Sequence, residues 1–284
     1  MPERDPRVGL FPALLRHWRR QRGLSQLDLA VAAEVSTRHV SFLETGRSSP
    51  SAAMILRLAA ALSVPLRHVD AMLTAAGHEP IYAAADDPLP AAVADALALL
   101  KAHHEPYPLI VVDRSYRVRD LNHGALALLG ALLGPPAAAD ADPAPAALGL
   151  NLALLTFDPR GAQPHIVNFA EVGRALLWRV QREVLAAPDD GPLRELLDAL
   201  LAMPTLADDW RDVDLTVPSS PALVLHLRRG PLDVRFLTMI TAFQAPHNVA
   251  AEELRVEMWL PYDDATAAAC RGLAGAVDRG SPSA

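Results

Sequence analysis

The stretch SQLDLAVAAEVSTRHVSFLETG, Ser25 to Gly46, decides the fold of the N-terminal part of this chain. Its apolar residues follow a helical period, break at a short turn and then resume. Ser25 and Ser36 stand where helix N-caps are expected, and Gly46 stands where a C-cap is expected. Helices this short are unstable alone in water, so each must bury a face against a neighbour. The pattern predicts a helix-turn-helix, whose second helix has the right diameter to enter the DNA major groove.

Three more helices are predicted around this pair. The first covers about Leu10–Arg22, the fourth begins at a Ser51 cap and the fifth follows Pro65. The predicted seam between the second and third helices contains six apolar residues: Leu27, Leu29, Ala30, Val35, Val40 and Leu43. Residues 1–82 are therefore expected to form an all-α domain of five helices.

Charge is unevenly distributed along the chain. The net charge is -7, yet residues 1–82 carry ten arginines and seven acidic residues, a net +3. A basic N-terminal part on an acidic remainder indicates a polyanion-binding head. No apolar run reaches the roughly 20 residues of a membrane helix, and the N-terminus lacks a signal-like apolar region. With a single cysteine, Cys270, a disulfide framework within the chain is excluded, and we expect a cytoplasmic protein with no membrane partner.

The opening stretch, followed by RSSPS, resembles the phage-repressor-like, XRE-type helix-turn-helix family. The matching positions are Gln26, Ala30, Val35, Ser36, Val40, Leu43, Glu44 and Gly46. The resemblance implies double-stranded DNA as a partner, with Gln26 touching a phosphate. It also implies that Thr37 and Arg38 face base edges, where arginine suits the O6 and N7 atoms of guanine.

Three further DNA contacts are implied by the same resemblance. Ser41 and Arg47 are expected to hold the DNA backbone and set the register. Phe42 occupies a position that is usually polar in this family, and there it can pack on a thymine methyl group.

The remainder of the chain alternates between strand and helix patterns. We expect a linker and connecting helix at 83–105, an α+β domain at 106–270 and a disordered tail at 271–284. Strand patterns are seen at Leu109–Asp113, Tyr116–Leu121, Ala222–Arg228, Leu232–Phe243 and Leu254–Pro261, and helical patterns at Asn122–Leu133, Val167–Ala186 and Gly191–Met203. This order predicts a five-stranded antiparallel sheet with helices packed on it.

The segment PYPLIVVDRSYRVRDLNHGALALLG resembles the opening of a PAS domain. The whole arrangement, including FDPRGAQPHIVNFAEVGRALLWRVQREV, resembles the MmyB-like regulators, which join such an N-terminal domain to a PAS-like C-terminal domain. The resemblance implies a small-molecule sensor, with a cavity between sheet and helices.

The predicted cavity is largely apolar. We expect it to be lined by five residues: Leu176, Trp178, Phe236, Ile240 and Met258. This lining suits a fatty acid or another lipid-like ligand. Arg174, Trp178 and Arg182 lie four residues apart on one predicted helix, and an arginine there can hold a carboxylate.

The pattern favours a DNA-binding transcription regulator that acts as a homodimer. No catalytic motif and no metal-ligand pattern is found in the sequence, so no enzyme activity and no cofactor beyond a bound lipid-like ligand are expected. Two alternatives stay open. The PAS-like domain either binds haem as a redox or gas sensor, or only dimerises and binds nothing.

Overall fold

The computed structural model describes residues 10–82, 89–134, 147–187, 190–204, 206–211, 223–243 and 248–277. Within these ranges no helix is long and apolar enough to cross a membrane. The chain divides into two compact units, Met1–Pro90 with Gln244–Glu252, and Ala91–Phe243 with Glu253–Ala284. The predicted connecting helix therefore counts with the C-terminal unit, while residues 83–88 of the predicted linker lie outside the described residues.

Five helices form residues 10–82 of the N-terminal unit, as the sequence predicts. They are α1 Leu10–Gln21, α2 Gln26–Ala32, α3 Thr37–Glu44, α4 Ala52–Ala61 and α5 Leu66–Ala75. Ser25 caps α2 in a reciprocal capping box with Asp28, and the Ser36 hydroxyl accepts from the backbone N–H of His39 at 3.1 Å. After α3, Gly46 takes φ = +71°, a left-handed conformation that favours glycine.

Buried apolar side chains from all five helices form one core. Leu15, Leu29, Leu43, Ile55 and Met72 are fully buried in it. Leu27 was predicted to belong to this seam, but its side chain is 60% exposed. It lies two residues before Leu29 on a seven-residue helix, which puts the two on opposite faces.

A five-stranded antiparallel sheet forms the centre of the C-terminal unit. Its strands are β1 Leu109–Val112, β2 Val118–Leu121, β3 Leu223–Arg229, β4 Leu232–Ala242 and β5 Arg255–Pro261. Their spatial order is β2-β1-β5-β4-β3. The pairing Thr238↔Trp259 between β4 and β5 fixes which residues share a face.

Seven further helices are described after residue 82; six belong to the C-terminal unit, and one, Val249–Glu253, counts with the N-terminal unit except for its last residue. They are α6 Ala91–His104, α7 His123–Leu133, α8 Leu152–Phe157, α9 Phe169–Ala186, α10 Gly191–Leu201, α11 Val249–Glu253 and α12 Asp264–Val277. The sequence patterns missed α8, α11 and α12. α12 packs on α7, β4 and β5, and its Cys270 is 3% exposed in the core.

The predicted disordered tail is wrong for its first part. Residues 271–277 continue α12, and only 278–284 lie outside the described residues. A helix forms there because α12 packs on α7 and on the sheet, with Ala269, Cys270 and Leu273 in or against the core.

Candidate DNA-binding surface and ligand cavity

A buried carboxylate holds α1, α2 and α3 together. Glu44 of α3 is 2% exposed, and its carboxylate accepts from Arg19 Nε at 2.6 Å and from Gln26 Nε2 at 2.7 Å. Burial raises the pKa of Glu44, but the bonds from Arg19 and Gln26 outweigh it and leave the pKa below its ordinary value. The network fixes α3 against its neighbours and places Gln26 at the start of α2, beside the recognition helix.

The outward side of α3 carries the other predicted DNA contacts. Thr37 begins the helix and is half-buried, whereas Arg38 is exposed. Ser41 is half-buried, and Arg47 is exposed just after the helix. The helix-turn-helix therefore presents two arginines to solvent near one helix, as phosphate or base recognition requires.

Phe42 lies between these two arginines. The guanidinium of Arg38 lies 5.1 Å from the centre of the Phe42 ring, and that of Arg47 lies 5.9 Å from it. Both distances are in the range of cation–π attraction. The Phe42 ring thus attracts and positions two cationic side chains, a role that the sequence did not predict.

The C-terminal unit contains a cavity of about 80 Å³ between its sheet and three helices. α7, α8 and α9 contribute Leu129, Leu132, Leu152, Ala153, Leu155, Thr156, Val172, Leu176 and Arg179. The loops and strands contribute Tyr116, Ala162, Ile166, Leu223, Leu225, Leu227, Thr238, Ile240, Glu257 and Trp259. The wall is apolar apart from a few side chains, as a site for an apolar ligand requires.

The predicted face of α9 is partly wrong. Leu176 lines the cavity, but Trp178, Arg174 and Arg182 are not among the described lining residues. Arg174 instead donates to Asp209 at 2.8 Å and stacks over Trp178 and Trp210. The cavity side of α9 follows Val172, Leu176 and Arg179, so the helix is rotated from the predicted face.

The predicted lining is also partly wrong on the sheet. Ile240 lines the cavity, and Phe236 shares its face of β4 but is fully buried without being a lining residue. Met258 lies on the opposite face, because it pairs with Met239 of β4. The β5 residues that reach the cavity are Glu257 and Trp259, which the search for apolar residues passed over.

Four side chains form what we call the polar end of the cavity: Tyr116, Arg179, Glu257 and Trp259. Tyr116 is 1% exposed, and burial, together with the nearby Glu183, raises the pKa of its hydroxyl. Glu183 is engaged by Arg255, whose Nη1 donates to it at 2.8 Å. The polar end therefore combines a cation, a carboxyl group, a phenol and an indole N–H in an otherwise apolar wall.

Neither metal binding nor thiol chemistry is supported in the described part of the chain. There, no group of three histidine, cysteine or acidic side chains is arranged to hold a metal ion. Burial raises the pKa of the Cys270 thiol to about 11, which disfavours a reactive thiolate.

Comparison with known families identifies both units. A family model described as helix-turn-helix matches residues 15–69. A model described as MmyB-like transcription regulator ligand binding domain matches residues 93–273, well over half of the chain. The chain belongs to the MmyB-like transcription regulators. No curated protein matches it.

Membership gives the two units their general roles. This MmyB-like regulator has a DNA-binding helix-turn-helix in its N-terminal unit and a ligand-binding domain in its C-terminal unit. Both matched families are domains of transcription regulators rather than enzymes. The cavity lies within the matched ligand-binding domain, so its lining residues are the candidates for ligand contact.

Proposed function

We propose that this regulator reads its operator mainly through Arg38 and Arg47, presented by α3 and the turn after it. The observation that carries this proposal is the pair of exposed arginines whose guanidinium groups lie 5.1 and 5.9 Å from the centre of the Phe42 ring. Thr37 and Ser41 flank them, and Gln26 contacts a phosphate while its amide also holds Glu44.

Operator selection from a random DNA library, followed by binding measurements, tests this proposal. Arg38→Ala is expected to weaken binding to the selected operator by about 2 kcal/mol and to relax specificity at one base pair. Arg57→Ala is the matched control, because Arg57 is an exposed arginine on α4. If both variants lose the same affinity, the loss comes from removing a positive charge in general, and the specific role proposed for Arg38 is wrong.

We propose further that the cavity binds a small apolar ligand of the fatty-acid type. Its mostly aliphatic walls and few polar groups support this choice. The volume of about 80 Å³ is near half of the ~150 Å³ cavity that accepts benzene in an engineered protein. A long chain would have to widen the cavity or leave by its open side, where Ile240 is 40% exposed.

Mass spectrometry of molecules released on denaturation tests ligand binding directly. A lipid-like molecule near one per subunit is the expected result. A series from butanoate to decanoate, titrated by calorimetry, then measures how much chain the cavity accepts. Ala162→Phe places an aromatic ring at the wall and is expected to abolish binding, whereas Ala96→Phe on α6 is the control away from the lining.

The haem alternative is less well supported. None of the described residues that line the cavity is a histidine, and the cavity volume is far below that of a typical ligand pocket, ~300 to 1,000 Å³. A Soret band in the purified protein would nevertheless establish it. A colourless protein without any releasable ligand would favour the alternative in which this domain only dimerises.

A dimer is proposed as the DNA-binding form, acting in the cytoplasm. Exposed apolar side chains support it, notably Leu99 of α6 at 60% and Met239 of β4 at 47%. A single helix-turn-helix makes few base contacts, so two heads would read half-sites about one helical turn apart. Native mass measurement with and without DNA tests this, and a monomer in both conditions would contradict it.

A further inference from the structure

Glu257 is an unusual residue at the centre of a sheet. The register places it between Ile110 of β1 and Ile240 of β4, with its side chain on the cavity face. It is 9% exposed, and among the described residues it makes no ion pair within 4 Å; the indole of Trp259 acts on its carboxyl group as a hydrogen-bond donor, but with poor geometry. Burying an unpaired carboxylate costs free energy, so we expect a bound partner to interact with Glu257.

The charged groups around Glu257 come from three elements. Arg255 lies on the same strand but is bound to Glu183 of α9, and Tyr116 precedes β2. Arg179 of α9 is the cation that faces both Tyr116 and Glu257 across the cavity. Among the described residues, Arg179 forms no ion pair of its own, so its guanidinium is available to a ligand.

A hydrogen-bond donor also lacks an acceptor at this end. The Nε1 atom of Trp259 is buried, the residue being 6% exposed, and no described group accepts from it with good geometry. The indole still lies close enough to the Glu257 carboxyl to favour its ionised form. Together, Arg179 and Trp259 offer a charge and a directed N–H to an incoming acceptor.

Burial decides the protonation of Glu257. Desolvation raises the pKa of this carboxyl group, and the opposing effects of Arg179, Trp259 and Arg255 do not restore its ordinary value. The Glu257 carboxyl group therefore keeps its proton to a higher pH than an exposed glutamate does. In that form it is a donor rather than an acceptor.

We propose that Arg179 and Glu257 form a headgroup site that binds a ligand carboxylate together with a proton held on Glu257. The ligand carboxylate pairs with Arg179 and accepts from the protonated Glu257 and from Trp259. Two ionised carboxylates beside one guanidinium would repel each other, so ionised Glu257 excludes the ligand. This inference rests on the proposed apolar-ligand function, and it adds a headgroup class and a dependence on pH.

Calorimetric titration with sodium octanoate tests the inference on the full chain between pH 6.5 and 8.5. Octanoate stays ionised in this range, so its own titration does not interfere. Its affinity is expected to fall with rising pH, by up to about tenfold per unit once free Glu257 ionises. Octan-1-ol, which has the same chain and no charge, is expected to show no such fall.

Three variants separate the roles of Glu257 and Arg179 in binding the ligand carboxylate. Glu257→Gln keeps a donor without a charge, so it is expected to bind octanoate with little change in affinity between pH 6.5 and 8.5. Arg179→Gln is expected to lose the preference for octanoate over octan-1-ol. Arg182→Gln removes an arginine from the same helix that is not a described lining residue, and it is expected to keep that preference.

Two results would overturn the inference. They differ in whether the proposed apolar-ligand function is also overturned. If octanoate and octan-1-ol bind equally at every pH, the headgroup site is wrong while the apolar-ligand function stands. If neither compound binds at any pH, both proposals are wrong. Thermal unfolding of each variant shows whether a loss of binding comes from a loss of folding.

Discussion

Glu44 and Glu257 are both buried carboxyl groups, yet they have opposite surroundings. Glu44 is 2% exposed and accepts hydrogen bonds from Arg19 and Gln26. Glu257 is 9% exposed, and among the described residues only the Trp259 indole acts on it as a hydrogen-bond donor, with poor geometry. The pKa of Glu44 is lowered and that of Glu257 is raised. Desolvation is the largest influence on both pKa values; at Glu44 the hydrogen bonds and the positive charge of Arg19 outweigh it, whereas at Glu257 the opposing effects do not.

The comparison separates a structural carboxylate from a candidate site. In the N-terminal unit the buried polar groups around Glu44 satisfy one another, and the apolar core beside them includes fully buried leucines. In the C-terminal unit the walls leave a cavity, and its polar groups face into it. Packing and satisfied hydrogen bonds indicate rigidity, whereas unsatisfied buried groups beside a cavity indicate binding.

The largest expected difference between the two units concerns apolar packing. Leu43→Ala removes a fully buried side chain from a tight core and is expected to destabilise its unit by about 4 kcal/mol. Leu176→Ala widens a cavity that already exists and is expected to cost less than about 2 kcal/mol. Hydrogen exchange read by mass spectrometry measures each unit separately. Equal costs would contradict the contrast in packing.

The second prediction concerns the Glu44 network. Arg19→Met leaves the Glu44 carboxylate buried with only Gln26 as a partner, and it is expected to destabilise the N-terminal unit by about 3 kcal/mol. Arg20→Met is the control, because Arg20 is exposed on the same helix and is not among the groups that shift the pKa of Glu44. Its expected effect is within about 0.5 kcal/mol. Unchanged exchange of the α2 and α3 amides in Arg19→Met would show that the network is not structural.

The third prediction is that the two units respond oppositely to pH. The lowered pKa of Glu44 gives stability that is present above the ordinary carboxyl pKa and lost as the pH falls through the lowered value. The raised pKa of Glu257 gives stability that is present below the ordinary value and lost as the pH rises through the raised one.

Hydrogen exchange at several pH values, corrected for intrinsic rates, checks this contrast. The C-terminal unit is expected to gain protection as the pH falls from 8 to about 5, while the N-terminal unit changes only at lower pH. Glu257→Gln is expected to remove the first response and Glu44→Gln the second. A parallel response of both units would mean that other groups dominate.

The N-terminal unit could be predicted almost completely from the sequence, because its signals are local. Caps at Ser25 and Ser36 and the left-handed Gly46 mark helix ends without reference to distant residues. The network of Arg19 with Glu44 could not be predicted, because these residues are 25 positions apart. Only their place in the helix-turn-helix brings them together.

The cavity was harder to predict, because its wall depends on register. On β5 the even-numbered residues are the more apolar, so hydrophobicity pointed to Met258 rather than to Glu257 and Trp259. The connection from β4 to β5 contains twelve residues, 243–254, and no tight turn fixes the pairing from the sequence. The buried glutamate, which a search for apolar residues passes over, is the feature that marks the site.

The smallest expected effect concerns Phe42. Its replacement tests whether DNA recognition needs an aromatic ring that holds the two arginines in place, or needs only their positive charges. Phe42→Leu keeps an apolar side chain on α3 and leaves all charges in place, but it removes the ring that lies 5.1 Å from Arg38 and 5.9 Å from Arg47. Exposed cation–π contacts contribute about 0.5 to 1 kcal/mol each, so loss of both is expected to lower operator affinity by about fivefold or somewhat more. The slope of affinity against salt concentration should not change, because the number of phosphate contacts is the same. A change in that slope would mean that an arginine has left the DNA, whereas unchanged affinity would show that the two arginines need no aromatic support.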